Sequence, residues 1–309
     1  MSEPDAALLE VSAAILNAPD VENRLARVFR ATFDQLYDGQ HTGRFAWDQL
    51  YKTEKTHFGT LLEINVRREF KDIIGDGAVL DFLIAGHEID CKYSFRMGGW
   101  MLPPESFGQL LLVCNADDAK SEWAVGVVRA VPEYLRAGVN RDLKSGLNEL
   151  GRKNIEWLFW GAELPPNVLL QVDDETRRAL FDGHLSGQKR VNQLFRSAQR
   201  RRIGRNAVAT VAQQDDFMKR VRANGGARTA LASEGIVIIG GDYDSHRQIA
   251  EQLGIEVPLP GEFVSVQVCP ALDEEPNVAL LNGGFWRVAL EGDPTVQAPD
   301  LPSTRRVAE

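Results

Sequence analysis

The 309-residue sequence predicts a mixed α+β or α/β chain in two parts: a small mixed sheet flanked by helices, then a set of short helices leading into strands. Three observations carry this. Apolar residues recur at helical spacing over 6–18, 21–37 and 55–70, the second run through Leu25, Val28, Phe29, Phe33 and Leu36. Compact apolar runs bounded by polar residues at 79–84, 88–95, 109–114 and 123–128 read as strands. "GAELPPN" (161–167) then stops regular structure, because two consecutive prolines remove backbone donors. The length exceeds one ordinary core, so the expected division is 1–160, a linker at 161–167, and 168–309.

In the first part, Pro132 opens a short helix, since proline tolerates the first helical position, and 147–159 again carries helical spacing. In the second part, 174–181 and 191–200 read as helices. Two more follow at 206–212 and 215–222, separated by a short break. "ANGGAR" is a turn, 227–232 a further short helix, and "GIVIIGG" a strand entered and left through glycine. Strands are expected at 263–268 and 285–290, and the Pro-rich tail from Ala298 is expected to fray. Helices with short breaks, a strand after them and basic residues throughout form the pattern of a winged helix-turn-helix module.

Composition narrows the class. Hydrophobic content of 44% and charge of 26% are those of a globular protein. No long apolar run and no leader pattern occur, so neither a membrane span nor a secretory signal is expected. Cys91, Cys114 and Cys269 are odd in number and lack zinc spacing, which points to a reducing, cytoplasmic setting without structural disulfides. The net charge of −9 argues against a polyanionic partner. Yet 187–230 holds eleven Lys/Arg against Asp215 and Asp216, a local excess of +9, and local patches set nucleic-acid affinity. A solvated basic helix face has the same composition.

Residues 80–95 read "LDFLIAGHEIDCKYSF", two apolar strands that carry Asp81, Asp90 and Lys92. With Gly86 and His87 as a two-residue turn, Ala85 faces Glu88 and Asp81 faces Lys92. Asp90 lies two residues from Lys92, on the same face. A three-residue loop would send Asp81 to the opposite face. Two close carboxylates repel, and a cation between them relieves the repulsion. Their hard oxygens suit Mg²⁺, which meets phosphate oxygens through one or two carboxylates. Lys92 can hold a water and stabilise charge on a phosphate, so the set reads as a phosphodiester hydrolysis site. Upstream, Glu63 lies in "LLEINVRREF", a helix whose Leu62, Val66 and Phe70 are core-like, and it can aim at the same metal. The alternatives are a wet cross-strand Asp81–Lys92 ion pair with Asp90 a bystander, and a Glu63 on a solvated helix face.

Taken together, Glu63, Asp81, Asp90 and Lys92 resemble the PD-(D/E)xK nuclease pattern, with Leu80 where the motif's proline would stand. Longer strings narrow the resemblance. "DQLYDGQHTGRFAWDQLYKTEKTHFGTLLEIN", "IDCKYS", "GGWMLPPES", "NRDLK" and "IGRNAVATVAQQDDFMKRVRANGGAR" are similar to the NaeI restriction endonuclease family. The likeness runs from about residue 34 onward, and is weak at the extreme N-terminus and around 240–285.

That resemblance implies a type IIE restriction endonuclease with an N-terminal PD-(D/E)xK domain and a C-terminal winged helix-turn-helix (CAP-like) domain. It implies a homodimer that cuts duplex DNA with Mg²⁺ at a palindromic hexamer, GCCGGC. A second DNA copy on the C-terminal domain acts as effector. A cognate DNA methyltransferase shares the system without being a physical partner. Glu63, Asp81 and Asp90 are the implied metal ligands, with Lys92 completing the catalytic set. For DNA contact, Arg96, Gly98 and Gly99 follow the catalytic strand, Arg96 as a guanine reader and the glycines allowing close backbone approach. Trp100, Met101 and Leu102 beside them fit a core equally well. Arg228 and Thr229 start the candidate recognition helix, and Lys219, Arg220 and Arg222 are candidate phosphate contacts. Leu36-Tyr37-Asp38-Gly39 is similar to the Lys-x-Asp-Gly nucleophile motif of DNA ligases, but leucine cannot form the adenylate. A nicking nuclease of the same superfamily and a non-catalytic DNA-binding regulator are the competing readings.

Overall fold

The computed structural model describes residues 4–302, in two compact units. The first comprises the residues up to Leu36 with Trp47–Pro165; the second comprises Tyr37–Ala46 with the residues from Pro166 onward. The short excursion at Tyr37–Ala46 is not visible in composition. No helix among the described residues is long and apolar enough to cross a membrane.

The chain opens with α1 (Ala6–Leu16), α2 (Val21–Tyr37), the one-turn α3 (Gly39–Thr42) and α4 (Lys52–Glu69). It continues through β1 (Ile74–Asp76), β2 (Phe82–Ile84), β3 (His87–Tyr93), β4 (Leu110–Asp117), β5 (Glu122–Arg129), α5 (Glu149–Lys153) and β6 (Glu156–Glu163). These six strands form one sheet in sequence order, antiparallel throughout except that β3 and β4 are parallel. A parallel neighbour demands a crossover. Residues 94–109 supply it, with a 3₁₀ turn at Pro104–Ser106.

Helix α2 turns Leu25, Phe29, Phe33 and Leu36 inward, and α4 turns Phe58, Leu61, Leu62 and Val66 inward, each at 3–4 spacing. Phe58 stacks on Tyr93 of β3 with ring centroids 4.1 Å apart. Inside this apolar layer Asn65 Nδ2 donates to Thr32 Oγ1 at 3.0 Å, while the Thr32 hydroxyl donates to the Val28 carbonyl at 2.7 Å. That buried pair fixes the roll of α4, and therefore which way Glu63 faces. Trp100, Leu102, Leu111, Val113, Val128 and Ile155 form a separate buried cluster of the same unit.

The second unit contains α6 (Val168–Gln171), α7 (Asp174–Leu180), α8 (Gly187–Ser197), β7 (Ile203–Gly204), α9 (Arg205–Ala212), α10 (Ala227–Ala232), β8 (Ile236–Gly240), α11 (Asp244–Gln252), β9 (Glu262–Pro270), β10 (Ala279–Leu281) and β11 (Gly284–Val288). Its sheet runs β10-β11-β9-β7, with β8 also antiparallel to β9. Helix α3 lies so close to α9 that a Cβ on Gly39 would stand 2.0 Å from Thr210 Oγ1. Phe45 packs in this unit's core and stacks on Phe181 at 5.1 Å.

Several expectations need correction. The helix expected over 147–159 is only α5, after which β6 pairs with β5. Asn148 caps a single turn by accepting from the Gly151 N–H, and the aromatic run Trp157–Trp160 prefers the pleated surface to a second turn. The helix expected over 215–222 shrinks to a 3₁₀ turn at Phe217–Arg220 after Gln213 takes a left-handed φ of 49°. Ala298 is docked, not frayed, its N–H donating to the Ala232 carbonyl at 2.8 Å; residues 303–309 lie outside the described range. The hairpin turn is also displaced. It consists of Ala85 and Gly86, both with positive φ (52° and 83°), and pairs Ile84 with His87 and Phe82 with Ile89.

Candidate active site

That turn decides which groups meet. Continued by one residue, the register of β2 and β3 sets Asp81 opposite Asp90, whereas a turn at Gly86 and His87 sets it opposite Lys92. The shift is two in the pairing sum, so side-chain parity survives. Asp81, Asp90 and Lys92 still share one face, but the direct cross-strand pair is acid on acid.

The three groups are held individually. The Cys91 N–H donates to Asp81 Oδ2 at 2.8 Å. The Lys92 ammonium donates to Asp90 Oδ1 and stands 3.9 Å from Asp81 Oδ2. Asp90 is buried, and its other oxygen accepts from the Ser106 hydroxyl, itself fully buried. Burial, above all, pushes the Asp81 carboxyl up to about 6; contact with Asp90 and the Glu63 charge add to the shift, while the Cys91 N–H and Lys92 oppose it.

Glu63 reaches this group from α4, about as exposed as Asp81. Arg67, one turn on, stands 3.4 Å from Glu63 and also donates to the Asp81 carbonyl and to Asp76. Its guanidinium lies over the Phe82 ring at 5.3 Å. Arg67 thus ties the helix acid to the strand acid. Neither Arg67 nor Ser106 is singled out by sequence reasoning. For Arg67 a signal exists, since it stands four residues after Glu63 on one helix face. For Ser106, sixteen residues from Asp90 across an irregular crossover, none does.

The residues expected to contact DNA are scattered. Arg96 is exposed. Gly98 has φ 77° and Gly99 closes a turn onto the Arg96 carbonyl at 2.9 Å. The space beside Gly98 is filled by the Arg152 side chain, so the turn itself accounts for that glycine. Trp100 and Leu102 are core, with Trp100 Nε1 donating to the Cys114 carbonyl at 2.8 Å, while Met101 is exposed. In the second unit Lys219 and Arg220 both pair with Asp216, and Arg222 is exposed. The Thr229 hydroxyl donates to the Ala223 carbonyl. Arg228 turns inward, its Nε donating to the Ile238 carbonyl at 2.9 Å.

A helix acid, a hairpin acid pair and a lysine stand together beside a mixed sheet flanked by helices, a fold consistent with that of a nuclease. A family model, "Restriction endonuclease NaeI", matches residues 9–297. The Type II restriction enzyme NaeI of Lentzea aerocolonigenes is 46% identical over 315 aligned positions, spanning 100% of this chain and 98% of the relative. The chain belongs to the NaeI restriction endonuclease family, and with it to the type II site-specific deoxyribonucleases.

Proposed function

We propose that this chain hydrolyses both strands of duplex DNA at a palindromic G·C-rich hexamer, the family's GCCGGC, through Glu63, Asp81, Asp90 and Lys92. The observation that carries the reading is the convergence of Asp81, Asp90 and Lys92 on one face, with Glu63 close enough to raise the Asp81 pKa. Among the described residues no three His, Cys, Asp or Glu side chains stand ready as a metal cage. The donor set still fits a hard cation. Every candidate ligand atom is a carboxylate oxygen, and the crowded negative charge is what a divalent ion relieves. Glu63, Asp81 and Asp90 would hold Mg²⁺, which polarises the scissile phosphate and acidifies a water when bound.

The protein's own groups do the rest. Ser106 holds one oxygen of Asp90, and the Cys91 N–H holds Asp81, so neither carboxylate swings away. Lys92 orients the attacking water and stabilises charge growing on the phosphate. In-line displacement then leaves a 5′-phosphate and a 3′-hydroxyl. We infer a homodimer as the working form, with the second unit binding an effector copy of the site. Helix α9, the break at 213–226, α10 and the antiparallel β8–β9 pair support a winged helix-turn-helix there.

Incubating unmethylated plasmid with the protein and Mg²⁺, then sequencing the ends, tests activity, site and stagger together. Ends at one hexamer on both strands are expected; single-strand nicks alone, or no cleavage, sink the proposal. Lys92→Ala is expected to lower cleavage by at least about 10³-fold while leaving specific binding intact, in line with loss of a charge-stabilising group. Unchanged cleavage by that variant removes Lys92 from the assignment.

A further inference from the structure

The second unit encloses a cavity of about 360 Å³ between α10, β8 and the segment 297–302. Ala232, Ile236, Pro299 and Leu301 give it apolar walls, and Tyr243 lies at one side with its ring 4.9 Å from that of His246. Arg228 enters this cavity. Its Nε is satisfied by the Ile238 carbonyl, but its Nη2 is buried and has no hydrogen-bond partner among the described residues. That nitrogen lies beside Gly240, 3.1 Å from where a Cβ there would be. Burial pulls the guanidinium below the usual arginine range, and the Tyr243 hydroxyl opposes the shift.

A buried guanidinium nitrogen without an acceptor is destabilising, so a partner for Nη2 is called for. The neighbouring groups are committed elsewhere. His246 Nδ1 accepts from the Gly240 N–H at 3.0 Å, and its Nε2 meets the Pro302 carbonyl at 3.0 Å. The Thr229 hydroxyl is used by the Ala223 carbonyl and the Gly225 N–H. Asp300 lines the same cavity without an ion pair to Arg228. We propose that this cavity binds a small monocarboxylate with an apolar body, its head group meeting Arg228 Nη2. One cation, with a carboxylate already on the wall, favours a single negative charge over a phosphate dianion. Apolar walls with a few converging polar groups are the usual form of small-ligand sites.

The test uses the full chain and three probes: 4-phenylbutyrate, its uncharged amide, and inorganic phosphate, followed by calorimetry and thermal shift. The expected result is binding of the carboxylate, at least about tenfold weaker binding of the amide, and none of phosphate. Arg228→Met is expected to weaken carboxylate binding by at least about tenfold, with partial rescue in Arg228→Lys. Should Arg228→Met misfold, the carboxylate-against-amide comparison on the unsubstituted protein still decides. Equal binding of acid and amide, binding of phosphate alone, displacement of the carboxylate by duplex DNA, or no binding at all overturns the proposal.

Discussion

Ser106 has no chemistry of its own to offer a phosphodiester, yet its hydroxyl donates to one oxygen of Asp90 while Lys92 holds the other. Its loss would leave a buried carboxylate oxygen unsatisfied. Ser106→Ala is expected to slow single-turnover cleavage by about tenfold, equivalent to ~1.4 kcal/mol, with DNA affinity unchanged. Cleavage at the unsubstituted rate would show that Lys92 and the strand hold Asp90 alone. The acids and Lys92 are legible in the sequence because strand alternation and one short turn suffice to bring them together. Ser106 is illegible because the contact depends on the path of an irregular crossover, which has no period. Arg67 lies between: its spacing from Glu63 is visible, but its bond to the Asp81 carbonyl depends on where α4 sits against β2.

The hairpin turn shows the same division for elements. Two turn residues were legible from the flanking alternation, but not which two. The sequence offers Gly86 as the obvious left-handed position, and a type I′ turn needs two such positions. Ala85 fills the first at φ 52°, against its Cβ's preference. Ala85→Gly is therefore expected to stabilise the first unit by up to ~1 kcal/mol, the removed strain exceeding the added chain entropy. A lower denaturation midpoint for that variant would place the turn elsewhere. The strands β4 and β5 were legible because nearly every position is buried, leaving continuous apolar runs. Residues 147–159 misled because apolar positions at 147, 150, 155 and 158 fit a helix as well as they fit a turn followed by a strand. Helix α11 and the short strands β1, β7 and β10 carry too few apolar positions to announce themselves.

For the whole molecule, the basic segment acts less strongly than its composition suggests. Arg196, Arg202 and Arg205 pair with Glu234, Glu262 and Asp242, acids outside the segment. What remains available is a smaller patch that includes the exposed Arg222. Acid sensitivity has a more local origin. Burial, the nearby Arg228 charge and the Gly240 N–H aimed at Nδ1 all favour neutral His246, and its pKa falls from 6.5 to about 4. Between those values the unfolded chain binds the extra proton and the folded chain does not. The contribution is complete above pH 6.5 and is lost as pH falls to about 4, with a ceiling of ~3 kcal/mol at 1.36 kcal/mol per pKa unit. His246→Gln is expected to flatten the decline of the unfolding midpoint over that range. An identical slope in both proteins would assign acid sensitivity to the carboxylates.

The excursion at Tyr37–Ala46 bears on how the chain is made. During translation this segment emerges ahead of the whole of Trp47–Pro165, yet the core that receives Phe45 and the helix that receives Gly39 are synthesised only afterwards. The second unit must therefore wait, with part of itself already outside the ribosome, until the intervening unit is complete. A polypeptide of residues 166–309 has everything of that unit except this early piece. It is expected to melt well below the full chain and to be rescued by a peptide of residues 37–46 added in trans. Equal melting with and without the peptide would mean the late-made portion assembles unaided.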